Sequence, residues 1–473
     1  MIFFTINLSY SSLWLNEGFA SYVEYLGAEH VAPSSGIMDR FAIREIQRTF
    51  PYDSLQTSHP ISVDVQHPNE IAHIFDTISY GKGASIIRMM ANFLGIEIFN
   101  QGITNYLRKY EYGNAIQDDL WQSLTDVAVK EKTLHPDLKV KEIMDTWTLQ
   151  MGYPVVKVER DYNSGEIKLT QERFLMFRDV TIRDDNLYRW WIPISCTHSD
   201  ADNPSTKTEF WMSPNDSYHI TSEYCNTPID SALIINVKQT GYYRVNYDES
   251  NWNLIISSLN RNMSSIHRSN RAQLIDDAMN LARAGYLKYE ISLQLIDYLE
   301  RETEFIPWKS GLSNFRFIRK MLSRTGAYGY YKKYIKAKVE PILNKLNKGK
   351  LLNGDVMNEL LLVELVKEAC EIDSEYCGEK LVEARDSLDN IKHFTGHQTS
   401  SYTVLEDGDT TQPLLKQISL CKSVWEGDEE RWDEIWKMYT ESSNVSMKRR
   451  ILKALGCSRH IWILKVSFLM HYD

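Results

Sequence analysis

Glu17, Ser21 and Glu24 recur at i, i+4 and i+7 in Leu13-Trp14-Leu15-Asn16-Glu17-Gly18-Phe19-Ala20-Ser21-Tyr22-Val23-Glu24-Tyr25, a spacing that sets them on one helical face. Leu15, Phe19, Tyr22, Val23 and Leu26 cover most of the remaining surface, so the pattern predicts a helix apolar nearly all round and therefore buried. Carboxylates inside such a helix need a cation or strong donors, because an unpaired buried charge is costly. An internal Arg or Lys would satisfy them, and so would a metal ion. Tyr80, in Phe75-Asp76-Thr77-Ile78-Ser79-Tyr80-Gly81-Lys82-Gly83-Ala84-Ser85, reads by itself as a loop aromatic beside glycines that permit a tight turn. The Gly81–Ser85 run lacks the full G-x-x-x-x-G-K-[ST] spacing of a phosphate loop. His393 and His397 have the i, i+4 spacing that can share a metal on a helix, but the first lacks a following Glu and the stretch is polar.

The elements that must position these groups change character along the chain. From Leu13 to about Met151 the pattern is helical: Ile86, Ile87, Met90 and Phe93 share a side, as do Leu120, Trp121, Leu124 and Val127, and Val140, Ile143, Met144 and Trp147. After Gly152-Tyr153-Pro154 come short runs rich in β-branched and aromatic residues, Val155–Val158, Glu166–Thr170, Tyr188–Ser195, Thr208–Met212, Leu233–Val237 and Tyr242–Tyr247, separated by turn clusters. That density of strands predicts a small β-sandwich. From about Glu249 helical periodicity returns and continues nearly to the end, as solenoid-like helix pairs without a fixed repeat.

Composition sets outer limits. A chain of 473 residues with 43% hydrophobic and 25% charged content can bury several cores, which makes it multidomain α+β. A net charge of −10 without a basic, aromatic-laced run argues against a nucleic-acid surface. No stretch reaches the roughly 18 apolar residues of a membrane span, and Met1–Ser12 lacks the basic start of a signal peptide. Glycosylation acceptors occur at Asn215, Asn262 and Asn444, with Asn7 in the leader. The even count of six cysteines leaves connectivity open.

Five motifs in order resemble one family: the Glu17 helix, the Tyr80 segment, Met144–Pro154, Thr240-Gly241-Tyr242-Tyr243-Arg244-Val245-Asn246-Tyr247, and Asn270–Ala278. The chain from Leu13 to about Lys465 resembles the gluzincin zinc aminopeptidases of the aminopeptidase N and glutamyl aminopeptidase type. The resemblance implies part of a thermolysin-like catalytic domain over 13–151, a β-sandwich domain over 152–248 and a truncated helical domain over 249–473, after a non-family leader at 1–12. It assigns Glu17 as a Zn²⁺ ligand and Tyr80 as the O–H donor to the oxyanion, with Glu24 a candidate to orient a ligand imidazole. It implies disulfides Cys370–Cys377 and Cys421–Cys457, with Cys196–Cys225 open as a third pair.

By family the activity is release of the N-terminal residue from peptides at the extracellular face of the plasma membrane or as a secreted enzyme, with homodimers through the helical domain. The family's His-Glu-x-x-His helix would precede Met1. The expectation for this chain is a fragment lacking two imidazole ligands and the general base, retaining no zinc and inactive by itself. The alternative is a non-catalytic isoform acting through dimerisation or ligand binding. Both ends, Met1–Ser12 and Val466–Asp473, depart from the family pattern and read as intron-derived or alternatively spliced; sequencing the transcript across both junctions checks this.

Overall fold

The computed structural model describes residues 13–177 except 64, 66, 68, 69 and 71–73, residues 188–347 except 222, and residues 355–377 and 411–469. The leader at 1–12 and the pair His393 and His397 lie outside the described residues. The chain forms two units, one of residues 1–302 with 306–315, the other of residues 303–305 with 316–473.

The first unit begins with helix α1 (Leu13–Val31), whose buried residues Trp14, Leu15, Gly18, Phe19, Tyr22 and Tyr25 form a stripe. A short π-helical turn, Ala42–Ile46, leads into α2 (Gln47–Asp53). A second, Ile78–Lys82, leads into α3 (Gly83–Leu94). Gly95, at φ +84°, turns the chain into α4 (Ile96–Lys109). Helix α5 (Gln117–Lys130) starts where the Asp119 carboxylate accepts from Ile116 N at 2.9 Å, and α6 (Val140–Thr148) follows. The residues expected on the apolar sides of α3, α5 and α6 are buried.

Helix gives way to strand at Pro154. Among the described residues eight short strands follow: β1 (Pro154–Arg160), β2 (Ile167–Arg173), β3 (Ile192–Ile194), β4 (Cys196–His198), β5 (Phe210–Met212), β6 (His219–Thr221), β7 (Leu233–Ile235) and β8 (Arg244–Tyr247). They make three small sheets: β6-β2-β1-β8, with only β1 and β8 parallel, and the antiparallel pairs β3-β5 and β4-β7. In β2 Ile167, Leu169 and Gln171 are buried and Lys168 is exposed, the period-2 signature of a strand with one covered face.

The strand expected over Tyr188–Ser195 is shorter, because a side chain does the pairing at its start. Gln171 Nε2 donates to Trp190 O and Gln171 Oε1 accepts from Trp190 N, both at 2.9 Å. Those backbone groups need no ladder partner. Cys196 on β4 bonds to Cys225, which lies in the loop after β6 rather than on a strand, at a Cα separation of 5.4 Å. Helices α7 (Glu249–Asn262), α8 (Arg268–Arg283) and α9 (Tyr289–Leu295) follow in the same unit, α7 being capped by Asp248 accepting from Asn251 N at 2.9 Å.

The second unit is helical: most of α10 (Phe305–Leu322) belongs to the first, its ends to this one, followed by α11 (Tyr328–Asn347), α12 (Val356–Glu371), α13 (Thr411–Glu426), α14 (Glu429–Glu441), α15 (Val445–Leu455) and α16 (Ile461–Leu469). Leu420, Val424, Trp432, Ile435, Ile451, Leu455 and Ile463 form a core joining the last four. The disulfides Cys370–Cys377 and Cys421–Cys457 are both present. Asn215, Asn262 and Asn444 are exposed. No helix among the described residues is long and apolar enough to cross a membrane.

Candidate active site

The roll of α1 decides where Glu17 points, and aromatic packing sets that roll. Trp14 stacks on Trp121 with centroids 6.2 Å apart and its Nε1 donates to Gln117 Oε1 at 3.1 Å. Phe19 stacks on Phe99, and Tyr25 packs edge-on against Phe41 at 4.8 Å while its hydroxyl donates to Glu45 at 2.7 Å. With that stripe inward, Glu17 and Ser21 are half-buried and Glu24 is exposed. The expectation of a helix buried all round, with two interior carboxylates, is corrected here. Val23 is 43% exposed, and the helix is covered on one side in the described structure.

Glu17 lies beside Tyr80, close enough for its carboxylate to act on the phenol. Burial and the neighbouring Glu17 carboxylate push the phenol up to about 12, so it stays protonated at neutral pH. Tyr80 does not sit in a loop as its neighbours' composition suggests. It is the middle residue of the π-helical turn Ile78–Lys82, a geometry that appears mostly as single turns and often at functional sites.

Both ends of that turn are held by charge. At its start, Asp76 Oδ1 accepts from Ile78 N at 3.0 Å and Ser79 N at 2.9 Å, and Asp76 Oδ2 lies 2.8 Å from His59 Nε2. At its end, the fully buried Lys82 Nζ donates to Asp53 Oδ2 at 3.1 Å, Gly152 O at 2.8 Å and Gln150 O at 3.3 Å. Asp53 also accepts from Ser58 Oγ, Gly152 N and Tyr242 OH, at 2.6, 2.9 and 3.2 Å. Gly81 sits where a Cβ would come 2.0 Å from Thr49 Oγ1, so a side chain there would force Thr49 to shift.

Sequence reading missed Asp53, His59, Asp76 and Lys82 as parts of this arrangement. A lone Lys between two glycines ahead of an apolar helix, Gly81-Lys82-Gly83, was the one signal available for any of them.

The comparisons with known proteins agree along most of the chain. Residues 5–147 match a Peptidase family M1 domain and residues 232–470 an ERAP1-like C-terminal domain. Human aminopeptidase N is 33% identical over 98% of this chain and 46% of its own length. The chain belongs to peptidase family M1. The rat aminopeptidase N is 34% identical over 98% of the chain and 46% of its own length, and the human thyrotropin-releasing hormone-degrading ectoenzyme 34% over 95% and 41%. This M1 chain spans about half the length of the curated relatives it matches, and Glu17 and Tyr80 both lie in the part that matches the peptidase domain.

M1 aminopeptidases are zinc-dependent. A catalytic zinc takes three protein ligands plus an open position. Among the described residues no group of three His, Cys, Asp or Glu side chains comes together, and Glu17 has the Tyr80 phenol beside it. One carboxylate does not make a donor set for zinc, so these residues by themselves do not fit the ion.

Proposed function

We propose that this chain is the part of a zinc aminopeptidase that carries the carboxylate ligand and the transition-state donor, and that the whole protein releases N-terminal residues from peptides. The observation that carries the reading is the half-buried Tyr80 phenol, kept protonated beside the half-buried Glu17 carboxylate. In this reading Glu17 is a zinc ligand, and Tyr80 is the protonated donor that an oxyanion requires. Glu24, exposed two turns further along α1, is a candidate to orient an imidazole. The helices up to Thr148 belong to a thermolysin-like catalytic domain, and the strands between Pro154 and Tyr247 to a sandwich beside it. Three disulfides fit an oxidising compartment, in keeping with a cell-surface or secreted enzyme.

The 473 residues contain no His-Glu-x-x-His run. Expressed by themselves they are expected to hold no zinc in equilibrium dialysis and to leave amino-acid amides uncut. Extended with a His-Glu-x-x-His helix, the polypeptide is expected to bind one zinc and cleave, and Glu17→Gln to lose both. Chelator-sensitive cleavage by the unextended chain would overturn the division of ligands, and full zinc retention by Glu17→Gln would remove Glu17 from the site.

A further inference from the structure

A hydroxyl donor is useful only when its position is fixed before charge develops on its acceptor. What fixes Tyr80 is a turn with an uncommon hydrogen-bond pattern, and the amides of that turn converge on one residue. Asp76 Oδ1 takes the amides of Ile78 and Ser79, and the Asp76 carbonyl takes the amide of Tyr80 itself at 3.2 Å. The other carboxylate oxygen is held by His59 Nε2 at 2.8 Å, while His59 Nδ1 lies 2.7 Å from the Pro60 carbonyl. Both ring nitrogens therefore face acceptors. A neutral imidazole can donate from one nitrogen only, whereas the imidazolium donates from both. The far end of the turn is tied by the buried Lys82–Asp53 pair, whose charge partners are fully satisfied. That leaves the Asp76 end, half-exposed and joined to a titratable ring, as the adjustable end.

We propose that His59 and Asp76 are positioning residues for Tyr80, the imidazolium holding Asp76 and Asp76 holding the turn that places the phenol beside Glu17. The proposal rests on the reading of Tyr80 as the transition-state donor. The electrostatics support it. The hydrogen bond to Asp76 raises the His59 pKa above its ordinary value against the opposing effect of burial, and the nearby Asp53 adds in the same direction. Asp76 and Asp53 both act on the ring, one from the approach to the turn and one from the end of α2. Asp76 is held below the usual carboxylate range by His59 and the two amides, which outweigh its burial. As pH rises through the elevated His59 value the ring keeps one N–H. Either Asp76 or the Pro60 carbonyl then loses its donor, and the start of the turn loosens.

The test uses the 473-residue chain with 3-fluorotyrosine at position 80 and follows its fluorine resonance from mildly acidic to mildly alkaline pH. The resonance is expected to move in a step centred above the ordinary histidine value. His59→Gln should abolish the step with an unchanged circular dichroism spectrum. Asp76→Asn, which keeps an acceptor for the turn amides, should weaken it while the fold holds. In the extended polypeptide that cleaves amides, His59→Gln should lower kcat roughly 10- to 100-fold with KM little changed, and alter the alkaline limb of the kcat profile. A fluorine step that persists in His59→Gln, or unchanged kcat in that variant while Tyr80→Phe is inactive, would overturn the positioning role and leave the donor reading standing. Full activity of Tyr80→Phe would remove the donor reading itself, whatever the fluorine signal shows.

Discussion

Tyr80 and Lys82 are two residues apart in one turn, and their substitutions should fail in different ways. Tyr80→Phe removes one O–H and no volume to speak of, so the fold should persist. The loss should fall on kcat, about 10²- to 10³-fold, the cost of one oxyanion donor, with KM nearly unchanged. Steady-state kinetics on the extended polypeptide checks this, and a loss confined to KM would mean that the phenol binds substrate instead. Lys82→Met should act on the fold. It strips the cation from Asp53, both of whose oxygens are buried and fully bonded. An uncompensated buried charge of this kind costs about 3–5 kcal/mol, which a urea titration of the chain would report; an unchanged midpoint would show that the pair carries no stability. Glu17 and Tyr80 were singled out in the sequence by the motifs that carry the family resemblance, and their roles belong to the proposal above. Their proximity was not legible, since nothing in either segment states that α1 lies against the turn before α3. The exposure of Glu24 was not legible either: its spacing from Glu17 is helical, but the aromatic stripe turns that part of the helix outward.

At the scale of elements the decisive contact is a glycine pair. A Cβ on Gly18 would lie 2.8 Å from the Gly83 carbonyl carbon, and one on Gly83 3.2 Å from Gly18 Cα, so α1 and α3 cross backbone to backbone. Gly18 follows Glu17, and Gly83 begins the helix that the Tyr80 turn feeds. Gly18→Ala should push the helices apart, costing about 1–3 kcal/mol as overpacking, and should separate the carboxylate from the phenol. The expected readings are a lower melting temperature and a displaced fluorine resonance at position 80. A wild-type melting temperature would show that the crossing relaxes without strain. The helices were legible because burial repeats at 3.6 residues over three or four turns. The two π-helical turns were not, because five residues of i→i+5 geometry leave no period to read. Short strands fall between these cases: Ile192–Ile194 has the apolar run of a strand, but only Gln171 explains why pairing stops before Trp190.

Over the whole molecule the covalent cross-links are unevenly placed, and that asymmetry can be tested. Residues 13–177, which hold Glu17, Tyr80 and both anchors of the turn, contain no cysteine. The first unit has one disulfide, Cys196–Cys225, at β4, while the second has Cys370–Cys377 and Cys421–Cys457. Cys421–Cys457 spans 36 residues and ties α13 to the end of α15. Closing a loop of that length restricts the unfolded chain by about 3–4 kcal/mol in the entropic model, against less for the seven-residue span of Cys370–Cys377. The core these helices share rests on Trp432, Ile435, Ile451 and a few neighbours. The first unit instead buries Trp14, Trp121, Trp147, Trp190 and Trp252 completely. Reduction should therefore cost amide protection over 411–469 at a denaturant concentration where 13–148 remains protected, as read by hydrogen exchange on the reduced and oxidised chains. The fluorine signal of Tyr80 should survive the same treatment. Parallel loss of protection in both stretches would show that the units unfold as one, and the seat of Tyr80 would then depend on cross-links far from it in sequence.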